Sequence, residues 1–221
     1  MPEITITRHG QANSGATSEA DYDRLTDLGH QQAAWLGDYI DSTEGFDRII
    51  SGALNRQIDT ARGLNHAKIP HEVDPRLNEL DYFALSDSLT NMHGTPFPDS
   101  AESFAAHVPQ ILSHWAQEET PDSLESYTAF RTRIFAATRE AAKLPGRTLL
   151  VSSTGVIASL TAIALGLETA AKSKMFLHVA HTSLHRFAFH PFGGKDEMHV
   201  AQYGATPHLD HPSRHHARTM V

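Results

Sequence analysis

The chain contains no cysteine, which excludes disulfides, thiolate metal centres and a cysteine nucleophile in one step. It also lacks any block of lysine or arginine, and its 18 basic against 26 acidic side chains give a formal charge of −8. A nucleic-acid binder carries a basic patch or stripe, so that class is set aside. Long hydrophobic runs are missing too. The longest, Gly155 to Leu167, is too short and too interrupted to cross a bilayer. No basic segment followed by an apolar one opens the sequence, because strand-forming residues begin almost at Met1. The expectation is a cytoplasmic protein with neither membrane nor nucleic acid as partner. No internal repeat is visible. What is present is an ordinary globular composition, 40% apolar and 20% charged over 221 residues, enough for one sizeable core.

Glu3-Ile4-Thr5-Ile6-Thr7 alternates β-branched residues with both isoleucines on one face, and reads as a first strand ending at Arg8-His9-Gly10-Gln11. In an open α/β sheet, ligands bind at the carboxyl ends of strands. Residues 11–24 read as a polar loop, and Thr26 as the N-cap of a helix running to about Ile40 that stacks Trp35/Tyr39 and Leu36/Ile40. Arg48-Ile49-Ile50-Ser51 reads as a second strand. The helix after it is expected to bury Leu54, Ile58 and Ala61 and to point Arg56 elsewhere. His71 to Asp74 reads as a weaker third strand. This alternation predicts a mostly parallel sheet.

From Tyr82 to Pro145 the pattern changes. A loop is expected over 86–100, then a helix entered through an Asp99/Glu102 capping box and broken at Pro109, then a second helix from Tyr127 to Ala141. We read residues 82–145 as a helical cap over the strand ends. Thr148 to Ser152 is a buried central strand followed by an apolar helix from Gly155 to Leu165. Thr182 to His190 and Glu197 to Tyr203 read as antiparallel neighbours joined through Pro191-Phe192-Gly193-Gly194. A loose tail covering about 210–221, with His211, His215 and His216, is expected to close the chain. The expected fold is one α/β domain, a three-layer sandwich about a mostly parallel sheet.

Four segments occur in order over the first eighty residues: Arg8-His9-Gly10; Leu25-Thr26-Asp27-Leu28-Gly29-His30-Gln31-Gln32-Ala33; Ser51-Gly52-Ala53-Leu54-Asn55-Arg56 running on to Thr60-Ala61; and Leu77-Asn78-Glu79. Together they resemble the histidine phosphatase superfamily, also called phosphoglycerate mutase-like. The resemblance implies that His9 is a nucleophile forming a phosphohistidine, with Arg8 and Arg56 as bidentate phosphoryl clamps and Glu79 as the acid for the leaving alcohol. Gln11, Asn13, Ser153 and Thr154 are further candidates for phosphate binding. No cofactor and no metal is expected. The partner is a small phosphorylated metabolite, and a homo-oligomer is left open. Two alternatives stand beside a phosphatase: a cofactor-dependent phosphoglycerate mutase-type phosphotransferase, and a phosphate-binding pseudophosphatase.

The family places a second histidine after the central strand, in Val-Ser-His-Gly-Gly, where this chain has Val151-Ser152-Ser153-Thr154-Gly155. Ser153 stands in for that histidine. A hydroxyl can donate one hydrogen bond but carries no charge, and losing one such donor costs roughly 10²- to 10³-fold in rate. Ala12 and Gly15 occupy places where the family commonly has Thr and Asn, although Asn13 and Ser14 lie nearby. Ser152-Ser153 is no hydrolase elbow, because no glycine stands two residues before either serine. His178, His181 and His185 have ligand-like spacings. On a strand, however, His181 and His185 stand two pleats apart, too far to share an ion.

Overall fold

The computed structural model describes residues 2–13, 15–192 and 195–220. Ser14 and the expected turn residues Gly193 and Gly194 lie outside the described residues. One sheet of six strands organises the chain: β1 (Glu3–Arg8), β2 (Arg48–Ser51), β3 (His71–Val73), β4 (Thr148–Ser152), β5 (Leu184–Phe192) and β6 (Lys195–Ala205), in the spatial order β3-β2-β4-β1-β5-β6. The first four are mutually parallel, while β5 runs antiparallel to both β1 and β6. This is the mostly parallel α/β sheet that the sequence predicts.

The pleat divides the core into two layers. On one face Ile49, Leu149 and Val151 meet Leu36 and Ile40 of α2 (Asp27–Asp41) and Ala61 and Leu64 of α3 (Asn55–Leu64). On the other, Ile4, Ile6, Ile50 and Leu150 meet Phe130 and Ile134 of α6 (Tyr127–Ala141) and Val156, Ile157 and Leu160 of α7 (Thr154–Leu165). Helices on both faces bury β4 along its whole length, which is why that strand reads as a continuous apolar run rather than an alternating one. Thr26 caps α2 by accepting from Gly29 N–H at 3.1 Å, satisfying a donor that helix termini leave free.

Several local expectations are corrected. The segment expected as a loop from Ser86 is helical to His93, because α4 (Tyr82–His93) buries Leu85, Ser86, Ser88 and Leu89 and is capped by Asp81. The cap of α5 (Ala101–Ala116) is Ser100, accepting from Ser103 N–H at 3.1 Å, one residue beyond the Asp99 expected. Pro109 does not interrupt α5: it and Ala105, whose carbonyl loses its donor, are exposed. Water can satisfy that carbonyl, and the buried Val108, Ile111, Leu112 and Trp115 hold the helix across it. Helix α3 buries Arg56, Gln57, Thr60, Ala61 and Leu64, so Arg56 turns inward and Leu54 and Ile58 are half-buried. The segment expected to be a loose tail from about 210 forms a 3-10 turn, Pro212–Ala217, just after another at Pro207–Leu209. Its end docks, with Gln32 Nε2 donating to Ala217 O at 2.7 Å and to Thr219 Oγ1 at 3.1 Å.

Candidate active site

The pairing register brings the strand ends level. Arg8 lies opposite Ser152 and Ser51 opposite Val151, and His9 N–H donates to Ser152 O at 2.8 Å. The close approach of the loop to α2 needs Gly10, because a Cβ at that position would come within 2.4 Å of Gly29 O at the start of that helix. Beyond the strand ends opens a cavity of about 670 Å³. Arg8, Arg56, Glu79, Thr154, Tyr22 and His181 form its polar wall, and Tyr82, Phe83, Phe97 and Phe104 an aromatic one. His9 sits behind this wall, edge-on to the Tyr22 ring at 6.3 Å and 5.8 Å from the His181 ring, centroid to centroid.

His9 is 2% exposed and its Nδ1 lies 2.7 Å from Gly10 O. A carbonyl can only accept, so Nδ1 carries the proton and Nε2 keeps its lone pair. Burial, followed by the Arg56 and Arg8 charges, holds His9 well below the usual histidine range. The ring is therefore a neutral imidazole with Nε2 open. Glu79 follows the 3-10 turn Pro75–Leu77. Its carboxylate accepts from Gly155 N–H at 2.8 Å, in the first turn of α7, and from Leu80 N–H at 3.0 Å. Gly155 permits this approach, since a Cβ there would meet Glu79 Oε1 at 2.2 Å. Burial raises the Glu79 carboxyl above the ordinary glutamate value, although these backbone donors and both arginines pull the other way.

The arginines are buried and held. Arg8 donates to Val179 O at 2.6 Å and to Met220 O. Arg56 donates to Glu19 Oε1 at 2.7 Å and Asp23 Oδ1 at 3.1 Å, with its guanidinium 4.7 Å over the Tyr22 ring. Glu19 and Tyr22 belong to the single-turn helix α1 (Glu19–Tyr22), and Asp23 caps the start of α3 by accepting from Asn55 and Arg56 N–H. In both arginines Nε is buried without an acceptor, an uncommon state for a buried donor.

Of the eight residues singled out in the sequence, Arg8, Arg56, Glu79 and Thr154 line the cavity and His9 lies directly behind it. The other three are engaged elsewhere. Gln11 Oε1 accepts from Thr26 Oγ1 at 2.9 Å, and Asn13 Nδ2 donates to Asp21 Oδ2 at 3.0 Å. Ser153, fully buried, accepts from Gln57 Nε2 at 2.8 Å. Sequence reasoning missed Glu19, Asp23 and Tyr22, whose loop carried no motif, and it weighed His181 only as a metal ligand. A usable signal existed for His181: an antiparallel β5 beside β1 begins where β1 ends, so a residue just before β5 arrives next to His9.

Residues 4–199 match the histidine phosphatase superfamily (branch 1), and the chain belongs to that superfamily. Similar solved structures include a mycobacterial glucosyl-3-phosphoglycerate phosphatase, 22% identical with a TM-score of 0.68 over 93% of this chain and 100% of that one. The α-ribazole phosphatase of Shigella flexneri is also 22% identical, with a TM-score of 0.62 over 90% and 95%. A Bacillus stearothermophilus protein is 21% identical, with a TM-score of 0.65 over 93% and 98%. No curated protein matches the sequence. Among the described residues no helix is long and apolar enough to cross a membrane.

Proposed function

We propose that the protein is a metal-independent phosphatase that hydrolyses a small phosphomonoester through a phosphohistidine on His9. The observation that carries this reading is the fixed tautomer of His9, with Nδ1–H donating to Gly10 O and Nε2 unbonded, behind a wall that holds Arg8, Arg56 and Glu79. In the first step Nε2 attacks phosphorus, the bond from phosphorus to the ester oxygen breaks, and Glu79 gives its proton to the departing alkoxide. In the second, the Glu79 carboxylate takes a proton from water, whose oxygen attacks phosphorus. The N–P bond then breaks, phosphate leaves, and both side chains return to their starting state. The arginines neutralise the equatorial oxygens throughout. Superfamily membership and the phosphatase neighbours support the same chemistry.

The aromatic wall suits a leaving group with an apolar face: Phe83 and Phe97 stack at 5.5 Å and 15°, and Tyr82 packs against Phe97 and Phe104. Release of phosphate from p-nitrophenyl phosphate tests the reading. Turnover in the wild type and its loss in His9→Ala support it. A protein that binds phosphate without turnover is a pseudophosphatase, and one that needs a phosphorylated primer is a mutase.

A further inference from the structure

Resting on the phosphatase reading, we propose that His181 is the second histidine of the phosphate site, delivered by the start of β5 instead of the end of β4. Ser153 stands where the family resemblance places that histidine, yet its hydroxyl is fully buried against Gln57 and does not line the cavity. His181 does line it, with its ring 5.8 Å from that of His9. Its backbone is locked beside the nucleophile: Thr182 N–H donates to Arg8 O at 3.1 Å and Arg8 N–H to Ser183 O at 3.3 Å. The side chain is fixed from behind. Nδ1 lies 3.0 Å from Thr219 O and 2.8 Å from Thr219 Oγ1, so the proton sits on Nδ1 and Nε2 is the ring nitrogen left for a ligand.

His181 stands beside Arg8 of β1 and the adjoining His9, and shares the cavity with Glu19 and Tyr22 of α1, Arg56 of α3, Glu79, Tyr82 of α4 and Asp99. Burial, then Arg8 and His9, hold the ring well below the usual histidine range, and in the empty site it is neutral. A bare Nε2 cannot donate to a phosphoryl oxygen. A phosphate dianion beside it reverses the local field, and the ring takes up a proton. The imidazolium then donates from Nδ1 to Thr219 and from Nε2 to the phosphoryl group, a contact that strengthens as charge develops in the transition state.

Two measurements test this. His181→Ala should lower kcat on p-nitrophenyl phosphate by about 10²- to 10³-fold. His181→Gln, which can donate but not carry charge, should fall between it and the wild type. Because either variant could loosen the tail through Thr219, the second measurement uses the unaltered protein. Nitrogen-15 NMR, with His181 assigned by its absence in His181→Gln, should show Nε2 moving from an unprotonated to a protonated ring nitrogen when inorganic vanadate is added. An unmoved Nε2 resonance, or a folded His181→Gln with wild-type kcat, would overturn the proposal while leaving His9 as nucleophile. A wild type that hydrolyses no phosphomonoester defeats the phosphatase reading instead.

A separate observation lies at the far ends of α4 and α5. His93 Nε2 and His114 Nδ1 stand 3.5 Å and 3.4 Å from the same Glu119 oxygen, with the three ligand atoms within 4.8 Å of one another. These separations exceed hydrogen-bond lengths but match the edge of a tetrahedron with metal bonds of about 2.0–2.1 Å. His114 is 3% exposed and its Nδ1 has no hydrogen-bond partner. Its Nε2 lies 3.1 Å from Ser88 Oγ, a hydroxyl that can accept from a protonated Nε2, the tautomer that leaves the Nδ1 lone pair for a metal. We infer a His93-His114-Glu119 site for a zinc-like divalent ion that ties α4 to α5, with water in the fourth position. Protein stripped with chelator should bind one Co²⁺ with the visible absorption of a tetrahedral ion, displaceable by Zn²⁺. Glu119→Gln and His114→Ala should each weaken binding by tenfold or more. Absence of binding at micromolar metal, or equal affinity in the exposed Glu119→Gln variant, overturns the site.

Discussion

Gln57 Nε2 donates to Ser153 Oγ at 2.8 Å, and the same amide nitrogen reaches Leu77 O at 3.3 Å. The serine at the end of β4 is thereby tied to α3 and to the turn before Glu79. Ser153 is fully buried, with Gln57 in contact with its hydroxyl. An imidazole introduced by Ser153→His must displace Gln57. Overpacking of this kind costs about 1–3 kcal/mol, so the variant should melt lower and should not gain turnover of p-nitrophenyl phosphate. A stable Ser153→His protein with a raised kcat would show that the position does reach the phosphate.

Arg56 Nη1 meets Glu19 Oε1 at 2.7 Å, so on the proposed reading this carboxylate competes with the phosphate for the guanidinium. Glu19 is 32% exposed in its side chain, and partly exposed ion pairs contribute about 0.2–1 kcal/mol. Glu19→Gln should therefore tighten competitive inhibition by inorganic phosphate, by up to about fivefold. Weaker inhibition in the variant would mean that Glu19 positions Arg56 for the ligand instead of competing with it.

Activity against pH should follow two opposed shifts. In the proposed mechanism His9 reacts only when neutral, and its value lies well below 6.5, so the acid limb of kcat/KM belongs below the ordinary histidine range. Glu79 donates only when protonated, and burial raises its value above 4.5, which carries the alkaline limb upward. Glu79→Gln should abolish that limb and should slow alkyl phosphates far more than p-nitrophenyl phosphate, whose leaving group needs little protonation. Equal losses on both substrates would remove Glu79 as the proton donor.

Stability should fall with acid for a related reason. Burial lowers His185 to about 3 and His208 to about 4, against an unfolded value near 6.5. Between those values the unfolded chain binds more protons than the folded one, so folding stability rises with pH there and is lost as pH falls below about 6.5. Each such group contributes about 1.4 kcal/mol per pH unit within its window. The urea midpoint should drop steeply from pH 6.5 to pH 5. An unchanged midpoint would mean that these rings are protonated in the folded protein.

Strands β1 and β2 were legible because they are short β-branched runs, and β4 because helices on both faces bury it throughout. Strands β5 and β6 run past their expected ends, with Pro191 and Phe192 in β5 and not in the turn. Arg8, Arg56 and Glu79 were legible because motif spacing marked them. The partners of those groups were not. Glu19 and Asp23 reach Arg56 across 37 and 33 residues of chain, and no local pattern reports a contact of that range. The tail was misread for the same reason: its polar, histidine-rich composition looks unfolded until Gln32, Arg8 and His181 supply its hydrogen bonds. Ser153 shows the opposite failure, since a matching motif position did not put its side chain in the cavity.

The central claim, a covalent phosphoryl group on His9, is tested most directly by quenching the protein with a labelled phosphomonoester in the steady state. The account predicts one acid-labile, base-stable phosphate per trapped chain, mapped to His9 and absent in His9→Ala. Label that persists in His9→Ala, or turnover by the wild type with no protein-bound phosphate under any quench, would contradict it.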